Sequence, residues 1–508
     1  MGNQSDMKGL AMYAREGDAE ALWHYNRTDL VNYGGIVGSS GQIGTNLSTG
    51  IFGASRSGKS LCLQSLARLL AVGPVTFRGK SIVRNRAVIF DKHLQFESFC
   101  REAGAPESFL FQTYPLAANA HGIDLQAEAK SDLDRRNLAI ALCDSGQAGG
   151  GNQRFWDNLS SVVLHAVMST YEERGARWTF ADIIRPFVKG TFEHIEHILK
   201  FSEDGRMALD LLKSQGMEKL QGHARVSLLV ELAQYSELAA ATEHHINAGR
   251  SWSFRDDFLK GTPLVFLGSP TSSKPMERFV ALKQGFLSQT ILEDSSRDTA
   301  TPGFTDPSYL FLDELIGTKV ENLAELLREG PKRAFSCAVV IHDLPGLKMT
   351  NPGEGTASHL IAQLQGLIIT KMHDPETRIL LSELLGGKRE EWRRSYQTNG
   401  MGETSYADSI IERWLIDPST FSNWPLADFN GFACMTKTPS GYASQNWVSG
   451  DMLRTLIPHR RAGRSYEPLD AKHLRLPNFE SSDWERLHLP PLKSKPVPSF
   501  YDPEDFAS

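Results

Sequence analysis

The chain has 508 residues, of which 41% are apolar and 9% aromatic, enough to fill the cores of two or three domains. Its 54 Lys and Arg against 60 Asp and Glu leave a formal net charge of -6, so bulk electrostatics do not make it a nucleic-acid binder, although a local basic lining would not register in that total. No run approaches the roughly 18 to 20 apolar residues of a membrane helix, the opening Met1-Gly2-Asn3-Gln4-Ser5-Asp6 has neither part of a secretory signal, and the scattered Cys62, Cys100, Cys143, Cys337 and Cys434 form no C-x-x-C pair. These features predict a soluble cytoplasmic protein of a reducing compartment with no direct membrane span.

Residues 1–45 read as an N-terminal segment, a polar helix-like piece followed by a loop with Gly34, Gly35, Gly38 and Gly41. Ile51-Phe52 then runs into a glycine loop, and Leu61, Leu63, Leu66, Leu69 and Leu70 follow at helical spacing, giving strand, loop and helix. Ala87-Val88-Ile89-Phe90 predicts a second strand ending on Asp91, the start of a parallel α/β unit. Over 128–250 the apolar residues recur at three and four (Leu133, Leu138, Ala141, Leu142; Trp156, Leu159, Val163, Val167; Val226, Leu229, Val230, Ala233), which predicts an all-α insertion. Strands return at Pro263–Leu267, Tyr309–Leu312, Ala338–Ile341 and Gly366–Ile369, continuous apolar runs of the kind buried on both faces of a parallel sheet. The last part, 461–508, is Pro-rich (Pro490, Pro491, Pro496, Pro498) and reads as an extended or disordered tail rather than a packed domain. The expected organisation is one α/β domain, 46–127 with 251–460, interrupted by the 128–250 insertion.

Gly53-Ala54-Ser55-Arg56-Ser57-Gly58-Lys59-Ser60 satisfies the spacing of a Walker A loop between strand and helix. Its glycines let backbone N–H groups close around phosphates, Lys59 reaches the β and γ phosphates of ATP, and Ser60 holds Mg2+. The second half of such a site is an acidic pair at the end of a buried strand, and Leu310-Phe311-Leu312-Asp313-Glu314 fits. Asp313 would face Mg2+, with Glu314 as the base for the attacking water. His194 and His197 at i, i+3, and His244-His245, read as solvated helical faces rather than ligands. Lys388-Arg389, Arg393-Arg394 and His459-Arg460-Arg461 with Arg464 are basic clusters, the first two interleaved with Trp392 and Tyr396; each is either phosphate-binding or simply solvated charge.

Over roughly 50–450 the chain resembles the cytoplasmic ATPase part of type IV coupling proteins of bacterial conjugation, in the FtsK/HerA superfamily. Beyond the two Walker motifs, the resemblance is carried by Val88-Ile89-Phe90-Asp91, by Tyr114-Pro115 with His121-Gly122-Ile123-Asp124, and by Phe155-Trp156-Asp157-Asn158. It continues through Ser253-Phe254-Arg255, Asp374-Pro375-Glu376-Thr377 and the run Leu381-Ser382-Glu383-Leu384-Leu385-Gly386. The resemblance implies a RecA-like P-loop fold, a mainly parallel sheet with an inserted all-α domain, and a hexameric ring that moves DNA, single-stranded and without regard to sequence. It also implies relaxase and secretion-channel partners, through which the protein would meet the inner membrane. A DNA pump outside conjugation, and a nucleotide-gated adaptor with little hydrolysis, are the alternative readings.

The chain departs from the family after Asp91, where Lys92-His93-Leu94 replaces P-x-G, and at His342, where a strand ends on glutamine in the family. It also departs at Gly330-Pro331-Lys332-Arg333, where the family's G-R-K offers an arginine to the neighbouring subunit. Lys332 and Arg333 are the nearest cations, and Arg333 is the preferred catalytic replacement because a guanidinium grips two phosphate oxygens; the alternative is that both are solvated loop cations.

Overall fold

In the computed structural model the described residues are 23–26, 48–72, 75–77, 80–82, 85–92, 94–143, 151–213, 230–268, 270, 273–293, 307–314, 323–350, 356–398, 404–428, 430–437, 443–449, 457 and 466–492. Most of the 1–45 segment, His93, Val226, Leu229 and the basic cluster His459 to Arg464 lie outside them. The chain divides into two compact units, one of Met1–Tyr114, Asp257–Ser273 and Val280–Tyr466, the other of Pro115–Asp256, Lys274–Phe279 and Glu467–Ser508.

The first unit is built on a ten-stranded sheet. Its strands are β1 (Trp23–Asn26), β2 (Thr49–Phe52), β3 (Arg86–Phe90), β4 (Leu110–Gln112), β5 (Leu264–Leu267), β6 (Ser308–Leu312), β7 (Phe335–Ile341) and β8 (Gly366–Ile369). A polar ribbon of β9 (Lys388–Thr398) and β10 (Thr404–Trp414) stands apart, and β11 (Gly431–Lys437) and β12 (Ala443–Ser449) complete the sheet. The order is β1-β12-β11-β8-β2-β7-β6-β3-β5-β4, parallel except where β11 meets β8 and β12.

The apolar runs are buried because both faces of the central strands are covered. Ile51, Ile89, Phe311, Val340 and Ile368 pack in one cluster with Cys62, Leu63 and Leu66 of helix α1 (Lys59–Ala67) and Phe96, Phe99 and Cys100 of α2 (Phe96–Glu102). The alternating residues Phe52, Val88, Leu310, Val339 and Ile369 are buried as well. Truncating one of these side chains to alanine would cost about 2–5 kcal/mol.

The second unit is mostly helical, with α3 (Asp132–Cys143), α4 (Gly151–Glu173), α5 (Phe180–Val188), α6 (Phe192–Leu199), α7 (Glu203–Lys213) and α8 (Ser236–Asn247). It begins at Pro115 rather than 128 and carries a two-strand pairing of Gly122–Ile123 with Ser251–Trp252. The tail expectation needs correction over 466–492. There α9 (Ser481–Arg486) buries Trp484, and Leu487 and Leu489 are buried beside it. Arg185 of α5, itself buried, donates to Asp483 at 2.7 Å and to both oxygens of Glu243 at 2.6 and 2.7 Å, so a charged network fastens α9 to α5 and α8. The histidine reading changes too. His194 and His197 pack against the Trp484 ring, and His245 is fully buried with Nε2 2.8 Å from the Pro115 carbonyl.

Candidate active site

The P-loop joins β2 to α1, and the acidic pair follows β6, with β7 lying between the two strands. Both segments therefore emerge at the same, C-terminal, edge of a parallel sheet, the edge where open α/β folds bind ligands.

Two glycines explain the shape of the loop. A Cβ on Gly53 would come within 1.9 Å of Thr370 Oγ1 and 2.4 Å of Ser57 Oγ. Gly58 has φ 101°, the left-handed region that favours glycine, and a Cβ there would come within 2.9 Å of the Phe432 ring. The helix that starts at Lys59 has no side-chain cap and no acidic residue in its first turn, which suits its N–H groups and dipole to an anion. The loop is also pinned from behind. Ala54 N donates to Lys371 O at 2.7 Å, Thr370 Oγ1 donates to Phe52 O at 3.0 Å, and Ser57 Oγ lies 2.6 Å from Thr370 Oγ1. Because the Thr370 proton is committed to Phe52, Ser57 is the donor in that last bond.

Lys59 is buried and folds back, its Nζ donating to Ala54 O at 2.5 Å. Burial pushes its pKa down to about 8, against the opposing attraction of Asp313, Glu314 and Asp343. Ser60 Oγ donates to Asp313 Oδ1 at 2.9 Å, a contact between residues 253 apart in sequence that brings the two halves of the expected site together. Asp313 N in turn donates to Phe90 O at 3.2 Å, carrying the β6–β3 pairing one residue beyond the strand. Glu314 is part-exposed, and its Oε2 accepts from Lys92 Nζ at 3.1 Å.

Some contributors went unassigned in the sequence reading. Thr370 directly follows the apolar run of β8, but nothing local marks it as the support of Ser57. Asp91 is buried and its carboxylate accepts from Phe96 N, fixing the turn that presents Lys92. His342, following β7, is held below its ordinary pKa by burial and by Lys59, so its ring is neutral at pH 7.

Arg333 does not join these residues. It ends a short turn, Gly330–Arg333, that precedes β7, while the P-loop lies beyond the other end of that strand. Seven residues at a strand's rise amount to about 23 Å. The geometry therefore separates Arg333 from its own chain's nucleotide site. Lys332 pairs with Glu329 at 2.7 Å.

A Walker A loop and acidic pair on neighbouring segments of a mainly parallel sheet give the arrangement of a RecA-like P-loop nucleotide-binding fold. The chain belongs to the type IV secretion-system coupling protein DNA-binding domain family, whose model matches residues 42–424. It is similar in fold to the bacterial conjugative coupling protein TrwBdeltaN70 in an unbound form, with a TM-score of 0.59 at 16% identity over 83% of this chain and 88% of that one. It is also similar to the plasmid coupling protein TrwB in complex with ADP and Mg2+, with a TM-score of 0.56 at 15% identity over 84% and 90%. A third similar structure is TrwB with the non-hydrolysable ATP analogue ADPNP, with a TM-score of 0.56 at 15% identity over 83% and 88%. No curated protein sequence matches the chain. Among the described residues no helix is long and apolar enough to cross a membrane.

Proposed function

We propose that the chain is an ATP-hydrolysing motor of the coupling-protein type that works as a ring, hexameric as in the resemblance, and moves DNA during conjugation-related transfer. The observation that carries this reading is the Ser60 to Asp313 hydrogen bond, which joins the phosphate-binding loop to the acidic pair. The family's description as a DNA-binding domain supports DNA as the moving load.

The loop Gly53 to Ser60 would cradle the phosphates, with Lys59 leaving the Ala54 carbonyl for the β and γ oxygens. Ser60 Oγ and Asp313 Oδ1 are hard oxygen donors side by side, a set that suits Mg2+. When bound, that ion would offset charge on the β and γ phosphates. Glu314 accepts a proton from the water whose oxygen attacks the γ phosphorus, while the bond from that phosphorus to the ADP oxygen breaks. Arg333 serves the site of a neighbouring subunit. TrwB structures with ADP and Mg2+ and with ADPNP support ATP and Mg2+ as the ligands here. A relaxase and the secretion channel are the proposed protein partners, and through them the chain reaches the inner membrane from the cytoplasmic side.

The test is the ATPase rate of the purified full chain with and without single- and double-stranded DNA of unrelated sequences. We expect stimulation that falls with salt and depends little on base sequence, because a translocating motor holds phosphates rather than reading bases. Absence of both stimulation and low-salt DNA affinity would favour a nucleotide-gated adaptor.

A further inference from the structure

We propose that Lys92 restrains Glu314 in the resting site and thereby holds down ATP hydrolysis in the absence of DNA. The proposal rests on the reading of Glu314 as the base.

The pairing follows from the sheet. β3 and β6 run parallel with Leu312 opposite Phe90, and the backbone bond from Asp313 N to Phe90 O continues their contact past the strand ends. Continued at the same offset, that register sets Glu314 opposite Lys92. Side chains at matched positions of adjacent strands stand about 5 Å apart, within easy reach of a lysine and a glutamate. The turn that presents Lys92 is held by its neighbour: Asp91 N donates to Leu267 O at 2.8 Å, and the Asp91 carboxylate takes the N–H of Phe96. Lys92 Nζ consequently meets Glu314 Oε2 at 3.1 Å.

A general base needs a free lone pair directed at the water it deprotonates. The ammonium occupies one oxygen of Glu314 and fixes which way the carboxylate faces, so the pair opposes that role. It also opposes it weakly. The Lys92 side chain is 41% exposed and that of Glu314 25%, and pairs this open to solvent shift an equilibrium by no more than about fivefold. The restraint is thus strong enough to lower a resting rate and weak enough to be broken at little cost. Salt should loosen it as well, because ion pairs open to solvent are weakened by ionic screening.

The test compares the full chain with Lys92→Met, Lys92→Arg and Glu314→Gln, at saturating ATP. Lys92→Met should raise the DNA-free kcat by about two- to fivefold with KM unchanged. Its DNA-stimulated maximum should stay at the parental value, so the stimulation ratio shrinks, and Lys92→Arg should restore the parental ratio. The DNA-free rate of the parent should rise with ionic strength while that of Lys92→Met does not. An unchanged or lowered DNA-free rate in Lys92→Met, with the fold intact and Glu314→Gln stalled, would overturn the restraint and leave Glu314 as the base. Hydrolysis by Glu314→Gln at the parental rate would instead remove the underlying reading, and the restraint with it.

Discussion

At Lys59 burial and electrostatics oppose each other, and burial wins by enough to bring the ammonium down to about 8. Phosphate binding needs the charged form. Below pH 8 the free protein already carries it; above pH 8 the amine must first take up a proton, so ATP affinity weakens by up to about tenfold per pH unit as pH rises. Calorimetric titration between pH 7 and 9.5 should find this slope, with proton uptake on binding, and Lys59→Ala should lose binding at every pH. Thr370 permits a different test. Thr370→Val leaves the Ser57 hydroxyl and the Phe52 carbonyl without this partner, a cost of about 1–3 kcal/mol. We expect a Tm lower by several degrees and weaker ATP binding at unchanged kcat; a parental Tm would mean that the loop holds its shape without this bond. Lys59, Ser60, Asp313 and Glu314 were singled out in the sequence because each stands in a local pattern, and the structure brings Ser60 to Asp313. Thr370 and Lys92 were not assigned roles, since their partners lie 313 and 222 residues away and only the sheet order brings them close.

The same distinction holds for elements. The central strands were legible because a strand covered on both faces is mostly apolar: β5 and β8 carry no polar side chain, and β2, β3, β6 and β7 each admit a single one at Thr49, Arg86, Ser308 and Ser336. The β9–β10 ribbon has the opposite character, and in the sequence its cations and aromatics were noted while the long hairpin was not. In the structure Lys388 pairs with Glu412, Arg394 with Asp408 and Arg413 with Glu391, so opposite charges across the ribbon offset much of its basic character. Arg389 and Arg393 remain outside those three pairs. Replacing 388–414 by a short Gly-Asn turn is feasible because Leu415 N already donates to Gly387 O at 2.9 Å across the base of the hairpin. The ribbon's described side chains are largely exposed, so its removal should leave the fold of the sheet intact. ATP binding should survive, and the slope of log affinity for duplex DNA against log salt should fall by no more than about 2, one unit for each of the two arginines. A larger fall would make the ribbon a principal DNA contact. The C-terminal segment misled for a related reason: prolines suggested an extended tail, but the short helix Ser481–Arg486 buries Trp484, and Leu487 and Leu489 are buried just after its end.

For the whole molecule, the position of Arg333 at the far end of β7 sets it apart from its own chain's P-loop, so the catalytic role proposed for it requires a second chain. If it acts at all on ATP, it acts on a neighbour's, because its own P-loop lies about 23 Å away along the strand. An arginine supplied in this way offsets charge at the transferring γ phosphate and is worth about 10³ to 10⁵ in rate in related phosphoryl transfers. The neighbouring Lys332 lacks the planar fork, so it is the weaker candidate. Arg333→Ala should accordingly lower DNA-stimulated kcat by at least about tenfold while leaving ATP affinity unchanged, since the loss falls on the transition state. The decisive measurement mixes two inactive proteins. In a head-to-tail ring each site joins the P-loop of one subunit to the arginine of the next, so Arg333→Ala subunits supply intact P-loops and Lys59→Ala subunits supply intact arginines. Random assembly at equal amounts makes about one interface in four complete, and that share of the parental activity should return on mixing if the sites fire independently. Recovery of activity cannot come from an arginine acting within its own chain, because no subunit in the mixture has both residues. A mixture as inactive as its components, with mixed assembly verified by differently tagged subunits, would place the trans cation at another residue.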